Sequence, residues 1–268
     1  YSMIPWTNRV RYRDEATGSD AWLTLEYDKP SYDAIWKPFL QDFVKHLREK
    51  KLLGRVRIAM DERPEALMRP AMAVLRQYAP EIGLALAGSN EPGLKNDIDD
   101  WCVYLEPSLD TAIARERRER GVVTTFYTCT GPEQPNTFTY SPPAEAAWLP
   151  IYAAARDYDG YLRWAYDSWT EDPLHDTKHV SWQAGDAFLI YPGARSSIRF
   201  ERLREGIQEF EKIRILRSNA AIANSTERKA LDAALAKMTI EDVRARPAAQ
   251  PVGEAKAAIL ALSRAAAR

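Results

Sequence analysis

The sequence predicts an α/β fold of the (β/α)8 barrel type, and three observations support this. Short apolar runs alternate with helical patterns along most of the chain, as expected for parallel strand–helix units. The connections between them are mostly short. The length of 268 residues suits a barrel that folds as one domain. A composition of 46% hydrophobic and 28% charged residues excludes disordered, collagen-like and small disulfide-rich classes.

Six short apolar or β-rich runs are predicted to be parallel strands. Residues that favour turns close several of them, such as Gly-Ser-Asn at 88–90. A closed barrel needs eight strands, so we expect a partial barrel. In addition, we expect a hairpin over 10–27 and a further strand over 187–191. The six predicted strands are residues 1–6, 56–60, 82–87, 101–105, 122–129 and 159–166.

Apolar residues that recur every three to four positions predict the helices between the strands. In one helix, charges of alternating sign over 115–120 indicate a solvated face rather than a nucleic-acid site. The predicted helices are residues 32–51, a segment that includes 67–75, and residues 109–120, 144–156 and 197–216.

The end of the chain is rich in alanine and predicts helices packed on the outside of the barrel. Pro247 and Pro251 interrupt this pattern. We therefore expect a barrel over 1–217 and a helical extension over 218–268. The residues on the apolar face of the extension are Leu231, Leu235 and Met238.

Charge and cysteine content limit the classes of partner. Lys and Arg number 37, and Asp and Glu number 38, so no overall attraction to nucleic acid or an anionic membrane is expected. No apolar run approaches the ~18 residues that a membrane helix needs, and we expect no membrane span. Cys102 and Cys129 cannot build a disulfide framework; they could form one bridge, but two buried free thiols are the expectation.

Two adjacent carboxylates, Asp61 and Glu62, directly follow the predicted strand over 56–60. In parallel barrels, catalytic residues lie at the carboxyl ends of the strands. Neighbouring carboxylates repel each other, which raises the pKa of one toward the range that a general acid needs. Acids that precede a helix are also favoured by its dipole, and the pattern alone supports both interpretations equally.

Aromatic residues are concentrated at the end of the last of the six strands, at Trp164, Tyr166 and Trp169, and Trp182 follows on the next loop. Aromatic planes stack on the apolar faces of sugar rings, while polar side chains bind the hydroxyls. Core packing is the more common role of such residues when the pattern is taken alone. Tyr127, at the end of another strand, is open to the same two interpretations. The polar residues close by in the sequence are Arg163, Asp167 and Asp186.

The sequence offers little support for a metal or a cofactor. His175 and His179 are four residues apart, but the segment 172–180 predicts a loop and no third ligand is indicated, so we predict no metal site. No phosphate loop, dinucleotide fingerprint or Ser-His-Asp signature occurs, so no cofactor is expected.

Five stretches, taken together and in order, resemble glycoside hydrolase family 123, the β-N-acetylgalactosaminidases. The likeness extends from Tyr1 to about Arg217. The stretches are 58–64 (IAMDERP), 126–129 (FYTC), 161–169 (YLRWAYDSW), 182–186 (WQAGD) with 191–193 (YPG), and 196–207 (SSIRFERLREGI).

The resemblance implies a catalytic (β/α)8 barrel over 1–217, in which residues 1–6 are the third strand and Asp61 and Glu62 end the fourth. Strands one and two, and a preceding β-sandwich, would then be absent. Because an open barrel would expose strand edges, we expect either a fragment or a barrel completed by another polypeptide. The resemblance also suggests, by family analogy alone, that the protein is secreted or periplasmic.

The resemblance also implies retaining hydrolysis, in which the 2-acetamido group of the substrate forms an oxazolinium ion. Asp61 would hold the acetamido N–H, and Glu62 would act as general acid and then general base. Trp164 would pack against the acetamido methyl, and Tyr127 would bind the acetamido oxygen. The remaining expected sugar contacts are Asp167, where we expect Asn in relatives, Trp169 and Trp6.

The expected substrate is therefore a glycan that ends in β-linked N-acetylgalactosamine. Two alternatives stay open. The protein could be a hydrolase of another 2-acetamido sugar, such as a β-N-acetylglucosaminide, because the orientation of one hydroxyl depends on loop geometry. It could also be a non-catalytic carbohydrate-binding barrel, in which the aromatic cluster is kept but the acidic pair is misplaced.

Overall fold

The computed structural model describes residues 9–26, 29–60, 62, 64–88, 90–179 and 181–267. The strands are β1 (Arg9–Arg13), β2 (Asp20–Thr24), β3 (Arg57–Met60), β4 (Gly83–Gly88), β5 (Asp100–Tyr104), β6 (Val123–Thr128) and β7 (Gly160–Arg163). The helices are α1 (Pro30–Glu49), α2 (Glu65–Tyr78), α3 (Thr111–Glu119), α4 (Pro143–Ala155), α5 (Ile198–Ser218), α6 (Thr226–Ala236), α7 (Ile240–Ala245) and α8 (Ala249–Ala266).

The central feature of the fold is a parallel sheet in the order β3-β4-β5-β6-β7. Strands and helices alternate along it, so the predicted α/β class is confirmed, as is the antiparallel hairpin of β1 and β2. The predicted strand over 1–6 lies outside the described residues. Within the described part of the chain, the sheet of five strands is consistent with part of a barrel.

The chain divides into two compact units, Tyr1–Val103 and Tyr104–Arg268, and the division falls within β5. In the first unit, side chains along β4 are alternately buried and half-exposed, and Leu84 and Leu86 point into the core. The helices α1 and α2 pack against each other. Their buried side chains include Trp36, Leu40, Met68 and Met72.

The second unit is built around α4, which packs against β7, α5, α6 and α8. Trp148 and Tyr152 of α4 stack with ring centroids 4.6 Å apart, and Phe126 of β6 meets Tyr152 edge-on at 5.3 Å. The helix α5 approaches α4 closely at Gly206, where an added Cβ would lie 2.5 Å from the carbonyl oxygen of Ala147. Glycine is therefore required at this crossing because any larger side chain would separate the helices.

The chain after α5 is helical, and the predicted apolar face of Leu231, Leu235 and Met238 is buried. The expected interruption at Pro251 is wrong. Pro251 lies in the first turn of α8, where its missing N–H removes no helical hydrogen bond. The expected boundary between residues 217 and 218 falls at the end of α5 and stays a prediction.

The prediction of a strand over 187–191 is wrong. Phe188 forms an isolated antiparallel bridge with Asp167, and Tyr191 forms one with Arg195. Two backbone hydrogen bonds support the first bridge: Leu189 N–H donates to Tyr166 O at 2.9 Å, and Ser168 N–H donates to Ala187 O at 3.1 Å. The segment is thus held by the chain that follows β7, running antiparallel to it, and does not extend the parallel sheet.

The interpretation of residues 115–120 as a solvated face is wrong for Arg117, which is fully buried. Because α3 packs on β6, one side of this helix faces inward. Arg117 Nε donates to Thr124 Oγ1 at 2.8 Å, and its Nη2 donates to Val123 O at 2.9 Å. The strand therefore supplies the acceptors that a buried guanidinium needs.

Both cysteines are free thiols, as predicted, and Cys102 is buried. The expected burial is wrong for Cys129, which is only half-buried. Of the helices within the described residues, none combines the length and apolar character needed to cross a membrane.

Candidate active site

The first unit contributes Glu62, which follows β3 at its carboxyl end and is exposed. The strands β3 and β4 are parallel neighbours, and Met60 pairs with Leu86 near their carboxyl ends. A Cβ added to Gly88, the last residue of β4, would lie 3.6 Å from Glu62 Cα. The Glu62 backbone therefore lies beside the end of β4. The predicted partner, Asp61, lies outside the described residues, as does Trp6.

In the second unit, β6 ends in Tyr127 and Thr128, and the ring of Tyr127 is buried. It packs against Tyr104 with ring centroids 5.3 Å apart. The loop after β6 comes very close to this pair: a Cβ added to Gly131 would lie only 2.8 Å from the hydroxyl of Tyr104. Tyr127 is thus rigidly held at the carboxyl end of its strand.

A buried ion pair organises the end of β7. Arg163 Nη2 lies 2.5 Å from Asp186 Oδ1, with side chains only 4% and 0% exposed. Arg163 also donates from Nη1 to Thr128 O at 2.7 Å and from Nη2 to Asp186 O at 2.6 Å. The guanidinium therefore joins β6, β7 and the segment at residue 186. Removing either partner of such a pair leaves an uncompensated buried charge.

The other oxygen of Asp186 fixes Trp164, whose indole Nε1 donates to Oδ2 at 3.1 Å. Trp164 is 39% exposed. Its ring meets Trp182 edge-on at 4.9 Å, and Trp182 stacks on His179 at 5.1 Å. We call these three residues the aromatic wall. Because one end is tied to a buried carboxylate, the indole presents its remaining surface in a fixed orientation.

Trp169 and Asp167, like Trp164, form hydrogen bonds or a backbone bridge with the segment 186–190. Trp169 is 40% exposed, and its Nε1 donates to Ile190 O at 2.8 Å. Asp167 is exposed and is held by its bridge to Phe188. The segment 186–190 thus holds all three of these predicted sugar-binding residues.

The loop that carries the aromatic wall is anchored by Arg199 of α5. Arg199 is 3% exposed and donates from Nη1 to Thr137 O at 2.6 Å and to Gly185 O at 2.7 Å. Gly185 has φ +80°, and an added Cβ would lie 2.7 Å from Arg199 Nη1. Burial lowers the pKa of Arg199. This arginine therefore links the loop after β6 to the loop after β7.

Neither histidine of the predicted loop is part of a metal cluster in the described chain. His175 is exposed, and its Nδ1 lies 2.9 Å from Asp172 Oδ2, whereas His179 belongs to the aromatic wall. Among the residues that the structure describes, no group of three or more His, Cys, Asp or Glu side chains is arranged to hold a metal ion.

Sequence reasoning missed two polar residues of this region, Asn136 and Glu145. Both are buried, in the loop after β6 and in the first turn of α4. The length of the loop between 131 and 143 was the available signal, because long loops are often functional. Arg163, Asp186 and Trp182 stood out only as neighbours of the aromatic cluster, and their mutual contacts are a tertiary feature.

The first unit carries an exposed carboxyl after β3, and the second unit carries tryptophan faces and a firmly held tyrosine after β6 and β7. Carboxyl groups exchange protons with reacting oxygens, and indole rings pack on the apolar faces of sugars. Each unit therefore carries groups suited to carbohydrate chemistry.

Comparison with known proteins points to one family. The family model for the glycoside hydrolase 123 catalytic domain matches residues 1–216. A solved family 123 glycoside hydrolase from Clostridium perfringens, studied for glycolipid glycan hydrolysis, is 27% identical with a TM-score of 0.85. The match covers 98% of this chain and 51% of that one, so the chain spans about half the length of this relative. No curated protein shows significant similarity to the chain.

Proposed function

The chain belongs to glycoside hydrolase family 123, because the match to its catalytic domain covers residues 1–216, and we propose that it hydrolyses terminal β-linked N-acetylgalactosamine from glycans. The observation that carries this proposal is the position of Glu62. It is exposed and directly follows β3, at the end of a parallel strand where such folds carry their catalytic groups.

The proposed reaction retains the anomeric configuration and uses the substrate's own acetamido group. The acetamido oxygen attacks the anomeric carbon as the glycosidic C–O bond breaks, and Glu62 gives its proton to the leaving oxygen. An oxazolinium ion results. Glu62 then takes a proton from water, which attacks the same carbon and restores the acetamido group. Asp61 would hold the acetamido N–H and stabilise the developing positive charge.

The proposed sugar contacts come from the ends of β6 and β7. Trp164 would pack against the acetamido methyl and one face of the sugar, which the firm anchoring of its indole supports. Tyr127 would orient the acetamido oxygen for attack. Asp167 and Trp169 would bind the remainder of the sugar, as would Trp6. The exposure of Asp167 and Trp169 supports these roles.

The relative from Clostridium perfringens was studied for glycolipid glycan hydrolysis, and this supports glycolipid glycans as a class of substrate to test here. The expected partner is therefore a glycan, with neither nucleic acid nor a cofactor needed for the proposed steps.

The test is a panel of aryl β-glycosides: the N-acetylgalactosaminide, its 4-epimer the N-acetylglucosaminide, and the galactoside, which has no acetamido group. We expect cleavage of the first, slower cleavage of the second, and none of the third. Equal rates on the two epimers would favour a broader 2-acetamido hydrolase. Sugar binding without cleavage would favour the non-catalytic barrel, and cleavage of the galactoside at a similar rate would contradict substrate assistance.

A further inference from the structure

Glu145 is a buried carboxyl that the proposed reaction does not use. It lies in the first turn of α4, is 1% exposed, and its Oε2 accepts a hydrogen bond from the backbone N–H of Asn136 at 2.8 Å. Burial raises the pKa of Glu145 to about 7, although the Asn136 bond acts in the opposite direction. A buried carboxyl is costly to a fold, so the presence of Glu145 here calls for an explanation.

The loop after β6 is organised by Asn136. Its Nδ2 donates to Cys129 O at 3.1 Å and to Pro132 O at 2.6 Å, and its Oδ1 accepts from Thr137 N at 2.8 Å. The same Oδ1 lies 3.4 Å from Arg163 Nη1. Glu145 holds the backbone of Asn136, and the Asn136 side chain in turn contacts the Arg163 guanidinium. A shift of Glu145 would therefore be felt at Arg163.

From Arg163 the chain of contacts reaches the aromatic wall. Arg163 donates a hydrogen bond to Asp186 Oδ1, and the indole N–H of Trp164 donates one to Asp186 Oδ2. Every member between Glu145 and Trp164 is at least nine-tenths buried in its side chain. Buried hydrogen-bonded groups transmit small displacements because their surroundings are close-packed.

We propose that Glu145 is a positioning residue, which sets the orientation of the Trp164 indole through Asn136, Arg163 and Asp186. The proposal rests on the proposed function in one respect, that Trp164 carries the sugar. The alternative is that Glu145 only stabilises the loop locally, with no effect on the tryptophan.

Other charged or titratable groups face Glu145 across a cavity of about 500 Å³. Arg244 of α7 lines it, but its guanidinium is bound to Glu106 at 2.6 and 2.9 Å. The remaining lining residues are Glu133, Gln134, Tyr140, Ser141 and Pro142.

The first test compares Glu145→Gln, which keeps an acceptor oxygen, with Glu145→Leu, which leaves the Asn136 N–H without one. For cleavage of the aryl N-acetylgalactosaminide, we expect the leucine variant to raise KM about tenfold while changing kcat little, because the sugar platform is misplaced. The glutamine variant should have the same KM as the wild type. Equal KM values in both folded variants and the wild type would overturn the proposal.

The second test uses only folded, wild-type-like protein and does not depend on activity. The indole N–H resonance of Trp164, assigned with Trp164→Phe, is followed from pH 5.5 to 8.5 in the wild type and in Glu145→Gln. We expect a shift with a midpoint near 7 in the wild type that is lost in the variant. A shift that persists in the variant would belong to another group and would overturn the proposal, and so would the absence of a shift in the wild type.

These two readouts separate the inference from the proposed function. If the protein cleaves none of the glycosides but the resonance behaves as expected, the inference holds and the proposed function fails. If cleavage is normal and the resonance does not respond, the proposed function holds and the inference fails.

Discussion

The indole nitrogen of Trp164 donates to Asp186 Oδ2 at 3.1 Å, and the carboxylate that accepts this bond is fully buried. A half-exposed tryptophan is thus fixed by a charge-assisted hydrogen bond to an interior group. Because Arg163 neutralises the same carboxylate, the arrangement is rigid without leaving an unpaired charge. A ring held in this way supports the proposed role of Trp164 in packing against the sugar.

Trp164→Phe should weaken sugar binding, because the phenyl ring cannot donate to Asp186 and loses its fixed orientation. We expect the KM for the aryl N-acetylgalactosaminide to rise by about tenfold or less, with a smaller change in kcat. The matched control is Trp22→Phe, an exposed tryptophan on the β1–β2 hairpin, which should leave both constants unchanged. An unchanged KM in Trp164→Phe would count against its role.

Glu62→Gln should lose most activity on substrates with poor leaving groups and much less on activated aryl glycosides, because only the former need a proton on the departing oxygen. The ratio of the two losses is the measurement. Glu65→Gln is the matched control, since this nearby carboxylate is paired with Arg69 within α2 and has no proposed role in the reaction. Equal losses on both substrate types would exclude Glu62 as the general acid.

Glu145 should make stability fall as pH rises. Its pKa is raised from 4.5 to about 7 in the folded protein, so the folded state holds a proton that the unfolded state releases between these values. The stabilisation is complete below pH 4.5 and is lost toward pH 7. We expect the wild type to lose about 1–3 kcal/mol more than Glu145→Gln between pH 4.5 and 8, as measured by urea denaturation. The same pH dependence in both proteins would refute this assignment.

Gly206→Ala should destabilise the second unit, because its Cβ would meet the carbonyl oxygen of Ala147 at 2.5 Å where α5 crosses α4. Overpacking of this kind costs about 1–3 kcal/mol. Gly253→Ala is the control: no heavy atom lies within 4 Å of its added Cβ, so the better helix propensity should stabilise α8 by up to about 1 kcal/mol. Thermal denaturation of both variants checks the contrast, which similar effects would contradict.

Much of the fold follows from local pattern. Periodicity and turn residues predict five strands of the parallel sheet, the helices between them and the position of Tyr127 and Trp164 at strand ends. These predictions succeed because the spacing of the apolar residues within a helix or strand determines which of its faces is buried.

The contacts that build the site do not follow from local pattern. The β-rich segment over 187–191 has suitable residues for a strand, but its partner is the chain after β7, and no local signal identifies a partner. Arg117 has the charge of a surface residue, yet it is buried because Thr124 happens to face it. Glu145 accepts a hydrogen bond from a backbone N–H, a group that every residue except proline has. No sequence pattern could therefore identify its partner or the positioning role proposed for it.

The most direct test of the central claim is the affinity of the protein for the thiazoline analogue of N-acetylgalactosamine, measured by titration calorimetry against the free sugar. The analogue has the fused ring of the proposed oxazolinium ion. If Asp61 and Glu62 promote attack by the acetamido group, it should bind at least about 100-fold more tightly than the sugar. Affinity no better than that of the sugar, in a protein that cleaves the aryl N-acetylgalactosaminide, would contradict the mechanism.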